Sequence, residues 1–167
     1  MYTLAAMSRS AGNEVPPALA AALDGSRLEA AAGLTVLLLT VDADGWPRLA
    51  MLSAGEVLAT GARALRLALW PDSRTTANLD RSDRATLAAV LDGAGWYLRC
   101  TASRQPDLAL PGGRRLASFG LTVDETLEDQ VPYAELTTGI GFRLLEPDRV
   151  LPAWREAVAA MRAAGES

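Results

Sequence analysis

Two turn signals constrain this chain more than any other feature. Asp42-Ala43-Asp44-Gly45 and Asp92-Gly93-Ala94-Gly95 each lie between apolar runs too short to be globular helices. Asp and Gly accept the positive φ that tight hairpin turns demand, so each cluster predicts two antiparallel strands folded back on each other. Residues 34–41 and 46–53 flank the first turn, and residues 85–91 and 96–103 flank the second. Pro47 falls near the start of its strand, where a missing backbone donor is tolerated.

The rest of the chain extends this pattern. Residues 57–59 suit a short strand. Residues 64–70 alternate, with Leu65, Leu67 and Leu69 on one face and Arg66 on the other, as in a half-exposed strand. Pro71-Asp72 then turns the chain into a short helix from Ser73 that ends near Arg81 to Arg84. Residues 105–115, with two Pro and two Gly, read as a loop. The acidic residues 123–130 suit one or two helical turns, and residues 136–145 suit a last strand that Pro147 stops.

Pro152 opens a closing helix over 151–164, with Leu151, Trp154, Val158 and Met161 at helical spacing. Residues 1–15 read as loosely ordered before a helix that starts at Pro16-Pro17. Strands in hairpins with few helices predict one domain over 1–167. The expected class is mainly β (α+β), a small antiparallel barrel with flanking helices.

Composition narrows the chemistry. The chain of 167 residues is half hydrophobic and carries a formal charge of −4. That balance disfavours nucleic acid as a partner, since phosphate backbones select excess positive charge. There is no His, which removes Ser-His-Asp and Cys-His catalysis and the commonest metal ligand. The one cysteine, Cys100, can form neither an internal disulfide nor a cysteine-based metal site and reads as a buried small hydrophobe. Any redox chemistry then falls to a bound cofactor. The longest apolar run, residues 34–41, is too short to cross a bilayer. With no signal peptide evident, the expectation is a soluble cytoplasmic protein without a membrane partner.

The candidate site is the strand-to-helix handover. Ser73, Arg74, Thr75, Thr76 and Asn78 stand where a helix presents unpaired N–H groups and its positive dipole end. Hydroxyls and a guanidinium there suit a phosphate, but Asp72 or Ser73 can equally serve as an ordinary N-cap. Arg48 either faces solvent or points into a groove. Trp46, Trp70 and Trp96 sit at strand ends, where packing at barrel ends or in a dimer interface accounts for them; of the three, Trp70 has the best functional claim because it precedes the turn. Trp154 belongs to the core stripe of the closing helix, and the acidic residues 124–129 to a solvated face.

The sequence Gly45-Trp46-Pro47-Arg48, a strand, Ser73-Arg74-Thr75-Thr76-Ala77-Asn78-Leu79 and a strand pair together resemble the pyridoxamine 5′-phosphate oxidase-like, FMN-binding split-barrel superfamily, in particular its small general-stress-type members. The resemblance covers residues 34–145. It implies a six-stranded antiparallel split β-barrel, a homodimer, and FMN in a groove at the dimer interface. It places the phosphate near Ser73, Arg74 and Asn78, with Thr75 and Trp70 alongside, and the flavin along residues 48–53, so that Arg48, Met51 and Ser53 join the expected cofactor-binding set.

Two positions depart from the family pattern: Thr75 replaces a common Lys, and Arg48 replaces a common His. The implied activity is a flavin-dependent oxidoreductase of unknown substrate, with hydride transfer at flavin N5. The alternatives are a non-catalytic flavin- or deazaflavin-binding stress protein and a split-barrel dimer that has lost its cofactor. Haem fits less well without a histidine ligand, since Cys100 or a Met would have to serve.

Overall fold

The computed structural model describes residues 8–165. Eight strands among these residues form one wholly antiparallel sheet: β1 (Ser8–Ser10), β2 (Val36–Val41), β3 (Pro47–Leu52), β4 (Val57–Gly61), β5 (Ala64–Leu69), β6 (Arg84–Leu91), β7 (Ala94–Ala109) and β8 (Arg115–Asp129). Their order is β3-β2-β6-β7-β8-β5-β4, with β1 added on β8. The end strands β3 and β4 are consecutive in the chain and joined by residues 53–56, so the open path curls back towards itself at that link. The helices are α1 (Pro17–Ala22), α2 (Leu28–Ala31), α3 (Arg74–Arg81) and α4 (Pro147–Ala163). No helix among the described residues is long and apolar enough to cross a membrane.

Both hairpin turns form as the sequence predicts. Gly45 and Gly93 take φ of 88° and 78°, and Asp92 takes 53°, the left-handed region that Asp and Gly tolerate best. Alternation fills the core: Leu65, Leu67 and Leu69 of β5 are buried against Phe119 and Leu121 of β8. Cys100 is buried with them.

The sheet has eight strands rather than the six expected: Ser8–Ser10 and Arg115–Asp129 form strands in segments read as non-strand, and β7 is longer than expected. β7 runs on through Pro106 to Ala109, carrying an irregularity between Gln105 and Leu108 that accommodates the proline. Only residues 111–113 turn, as one 3-10 segment. The acidic stretch 123–130, expected to be helical, is the end of β8. Its charges are met across strands: Thr101 donates to Asp124 at 2.8 Å, Arg99 to Glu125 at 2.9 Å and Tyr97 to Asp129 at 2.9 Å. Cross-strand pairs of this kind override a weak local preference.

Residues 136–145, expected as the last strand, are not a strand. They run as an exposed connection, held by an isolated bridge between Leu34 and Gly141 and by backbone bonds from Leu136 N–H to Gly93 O and from Phe142 N–H to Gly33 O, both 3.4 Å. Pro147 opens α4 at its first position rather than ending a strand, and Pro152 lies inside that helix. Of the residues expected to be loose, 1–7 lie outside the described residues, whereas 8–15 are tied down. Ser8–Ser10 pair with β8, Thr126 N–H donates to Gly12 O at 2.8 Å, and the Thr126 hydroxyl donates to Glu14 O at 2.6 Å.

Candidate functional site

α3 starts where the sequence places it. Ser73 is its N-cap: Ser73 Oγ accepts from Thr76 N–H at 3.1 Å, and the Thr76 hydroxyl donates to Trp70 O at 2.7 Å. The hydroxyls of Ser73 and Thr76 lie 2.9 Å apart. The capping reading of Ser73 is therefore realised, and Thr75 and Thr76 point into the protein, both buried. The backbone N–H groups of Arg74 and Thr75 belong to the first helical turn and have no partner within α3.

Arg74, Ala77, Asn78 and Arg81 share one face of α3, three and four residues apart. That face looks onto the β2–β3 turn. With Asp42, Ala43 and Asp44 these residues line a recess of about 380 Å³. Asp42 organises it. Arg48 grips both its oxygens, Nε to Oδ1 at 2.7 Å and Nη2 to Oδ2 at 3.1 Å, and Asn78 Nδ2 donates to Oδ1 at 2.8 Å. The same amide reaches Thr40 Oγ1 at 3.1 Å, while Arg81 donates to Asn78 Oδ1 at 3.0 Å and also to Val41 O.

The hydrogen bond from Arg48, then that from Asn78, holds the Asp42 carboxyl down at about 2. Asp42 was legible only as a turn residue, and Arg81 not at all. Arg74 is the exception in this group. Among the described residues its guanidinium has no hydrogen-bond or ion-pair partner, and it acts on Asp42 only through space.

β3 is an edge strand and its two faces differ. Arg48, Ala50 and Leu52 turn inward, while Pro47, Leu49 and Met51 turn out. Leu49 is 48% exposed and Met51 60%, and they pair in register with Leu39 and Leu37 of β2. With Val41 and the 72%-exposed Trp46 at the hairpin end, they form an apolar strip beside an unpaired strand edge. Arg48 and Met51 thus share a strand but not a face.

The remaining two expected residues stand elsewhere. Ser53 and Trp70 line a separate cleft of about 580 Å³ between the β3–β4 turn and α4. Ser53 is buried, and both its N–H and its hydroxyl donate to Glu56 Oε2 at 2.8 Å. Trp70 stands 67% exposed at the rim. The Trp70 carbonyl accepts from Ser73 N–H at 3.1 Å, which links this cleft to the start of α3. Among the described residues, no cluster of His, Cys, Asp and Glu is suited to a metal ion.

An open antiparallel sheet curled on itself, with a helix after its fifth strand, has the form of a split barrel. The solved structures agree. A pyridoxamine 5′-phosphate oxidase-like protein of Lactobacillus delbrueckii matches with TM-score 0.54 at 19% identity, over 70% of this chain and 95% of that one. HupZ of group A Streptococcus matches with TM-score 0.52 at 14% identity, over 68% and 98%. A Clostridium acetobutylicum protein related to general stress protein 26 of Bacillus subtilis matches with TM-score 0.50 at 15% identity, over 75% and 95%. No family model matches the chain. YclD, an uncharacterized protein of Bacillus subtilis (strain 168), is 36% identical over 134 residues, 80% of this chain and 86% of YclD. The chain belongs to the family of YclD, and its fold is that of the pyridoxamine 5′-phosphate oxidase-like split barrels.

Proposed function

We propose that this protein binds FMN as a homodimer and acts as a cytoplasmic flavin-dependent oxidoreductase, with the cofactor in a groove that two copies complete. The observation that carries the reading is Arg74: a cation with no partner among the described residues, next to the free N–H groups that open α3. Such a group suits a phosphate, because charge-assisted bonds and first-turn amides act on the same anion. The apolar strip of Leu49 and Met51 supplies a surface for a flat ring system and for a second copy. Flavin bound there supplies hydride and electron transfer; the protein's part is to hold the phosphate at Arg74, to exclude water with the apolar strip, and to keep α3 fixed.

Fixing α3 is the task of the Arg48–Asp42–Asn78–Arg81 chain. Arg48, expected along the flavin, is joined to Asp42 through both carboxylate oxygens and so sets the position of the β2–β3 hairpin against the helix. Asn78, expected at the phosphate, has its amide nitrogen on Thr40 and Asp42.

A second reading rests on the same contacts. With Arg48 engaged internally and Thr75 where the resemblance leads one to expect Lys, a dimer that has lost its cofactor remains a defined alternative. Arg74→Ala separates the two. FMN affinity measured by flavin fluorescence falls at least tenfold if Arg74 holds the phosphate. An unchanged affinity refutes the assignment, and absence of binding by the unaltered protein favours the cofactor-free dimer.

A further inference from the structure

The cleft that holds Ser53 and Trp70 has a composition of its own. Its floor is Ala68 of β5 and Leu116 of β8, and its roof is one face of α4, where Val150, Ala153, Trp154 and Ala157 follow helical spacing. The roof is held close. Trp154 lies directly on Gly55, and Phe142 packs edge-on against Trp154 with centroids 6.3 Å apart at 77°. At about 580 Å³ the space falls within the range of small-molecule sites.

Its polar groups are few and of two kinds. Arg114 and Arg149 stand at the α4 side. Arg114 uses Nε on Pro111 O and Nη2 on Glu156, while Arg149 uses Nη2 on Glu146 at 3.0 Å. A guanidinium carries five N–H donors, so both retain donors for an incoming oxygen. The Arg149–Glu146 pair is exposed, 80% and 61% for its two side chains, and such pairs yield readily to a better acceptor. Glu56 is the other kind. Its Oε2 accepts both Ser53 bonds, and its charge repels a second anion placed next to it.

We propose that this cleft binds a small, flat, apolar acid, its ring system against Trp70 and Trp154 and its carboxylate at Arg114 and Arg149. Such a molecule is the class of ligand this cleft takes, at a site distinct from the FMN phosphate site at Arg74. Aromatic walls favour a flat ligand. The two guanidinium forks favour a carboxylate, which they can bind through paired bonds. The Glu56 carboxylate fixes the direction of the ligand by excluding its acid from the floor. The site draws on no residue of the Arg74 recess, so it stands or falls separately from the FMN reading.

The test uses the full chain without added flavin and two probes of similar shape, anionic 1-anilinonaphthalene-8-sulfonate and neutral N-phenyl-1-naphthylamine. Both are expected to bind one per chain, with energy transfer from tryptophan. Arg149→Glu is expected to weaken the anionic probe about tenfold or more and to leave the neutral one within about twofold. The 80% exposure of the Arg149 side chain means that the fold tolerates this change. Ala153→Trp, which fills the cleft from the roof, is expected to abolish both. Retention of either probe by a folded Ala153→Trp protein overturns the proposal, as does an equal effect of Arg149→Glu on both probes. Competitive displacement of the probe by FMN also overturns it, because the cleft is then the flavin's own. FMN binding that persists in Ala153→Trp supports two separate sites.

Discussion

Gly55 and Trp154 provide a sharp test of how α4 is seated. A Cβ added at Gly55 falls 2.7 Å from Trp154 Cβ and closer still to ring carbons Cγ and Cδ1. Ordinary contact begins near 3.4 Å, so Gly55→Ala forces α4 off the β3–β4 turn. Overpacking of this kind costs typically ~1–3 kcal/mol, and the upper half applies here because a helix backbone must move rather than a flexible chain end. The backbone at Gly55 does not need positive φ. Without the clash, then, Ala in place of Gly stabilises by roughly 0.4–1 kcal/mol through the unfolded state.

The two terms have opposite signs and a double-mutant cycle separates them. Gly55→Ala in the natural background lowers stability by about 2 kcal/mol, equivalent to a fall in Tm of roughly 4–8 °C for a chain of this size. In a Trp154→Gly background, where ring and Cβ are both gone, the same change raises stability by about 0.5 kcal/mol. The coupling is therefore about 2.5 kcal/mol, far above the few tenths expected of independent sites. Urea unfolding followed by circular dichroism measures it. A Gly55→Ala cost that is the same in both backgrounds, or no cost in either, refutes the seating of Trp154 on Gly55.

Three further outcomes follow from the site. The Asp42 carboxyl, held at about 2 chiefly by the hydrogen bond from Arg48, against an ordinary value of 3.8, contributes stability that is complete above about pH 4 and is lost as pH falls through 2; Asp42→Asn removes that part of the acid limb in pH-dependent unfolding. Asn78→Ala strips partners from Thr40, Asp42 and Arg81 at a buried position, and costs roughly 1–3 kcal/mol in the same urea assay. Burial pushes the Cys100 thiol up to about 12, so iodoacetamide at pH 8 leaves the folded protein unmodified and alkylates it only after unfolding.

Both hairpins, the helix at Ser73–Arg81 and the burial of Leu65, Leu67, Leu69 and Cys100 were legible in the sequence, because turn chemistry and alternation are local signals. The far end of β7 and the strand β8 were not. Pro106 near the end of β7 and the acidic residues 124–129 at the end of β8 suit a loop or a helix in isolation, and only cross-strand partners, such as Tyr97, Arg99 and Thr101 for the acidic stretch, make them strands. Residues 136–145 show the converse: an apolar, β-branched run that finds no neighbouring strand to pair with. Ser73 and Arg74 were found as a pair, yet their roles divide, one capping the helix and the other left free. What residue spacing alone could not show was Asp42, whose partners come from β3 and α3, or the Gly55–Trp154 contact between elements about a hundred residues apart.

The measurement that tests the central claim most directly is an absorbance spectrum of the purified protein after incubation with FMN and desalting, taken together with its mass in solution. A flavin spectrum retained at one FMN per chain, on a species of twice the chain mass, is the result predicted. A colourless protein after both steps, or a flavin-loaded monomer, contradicts it.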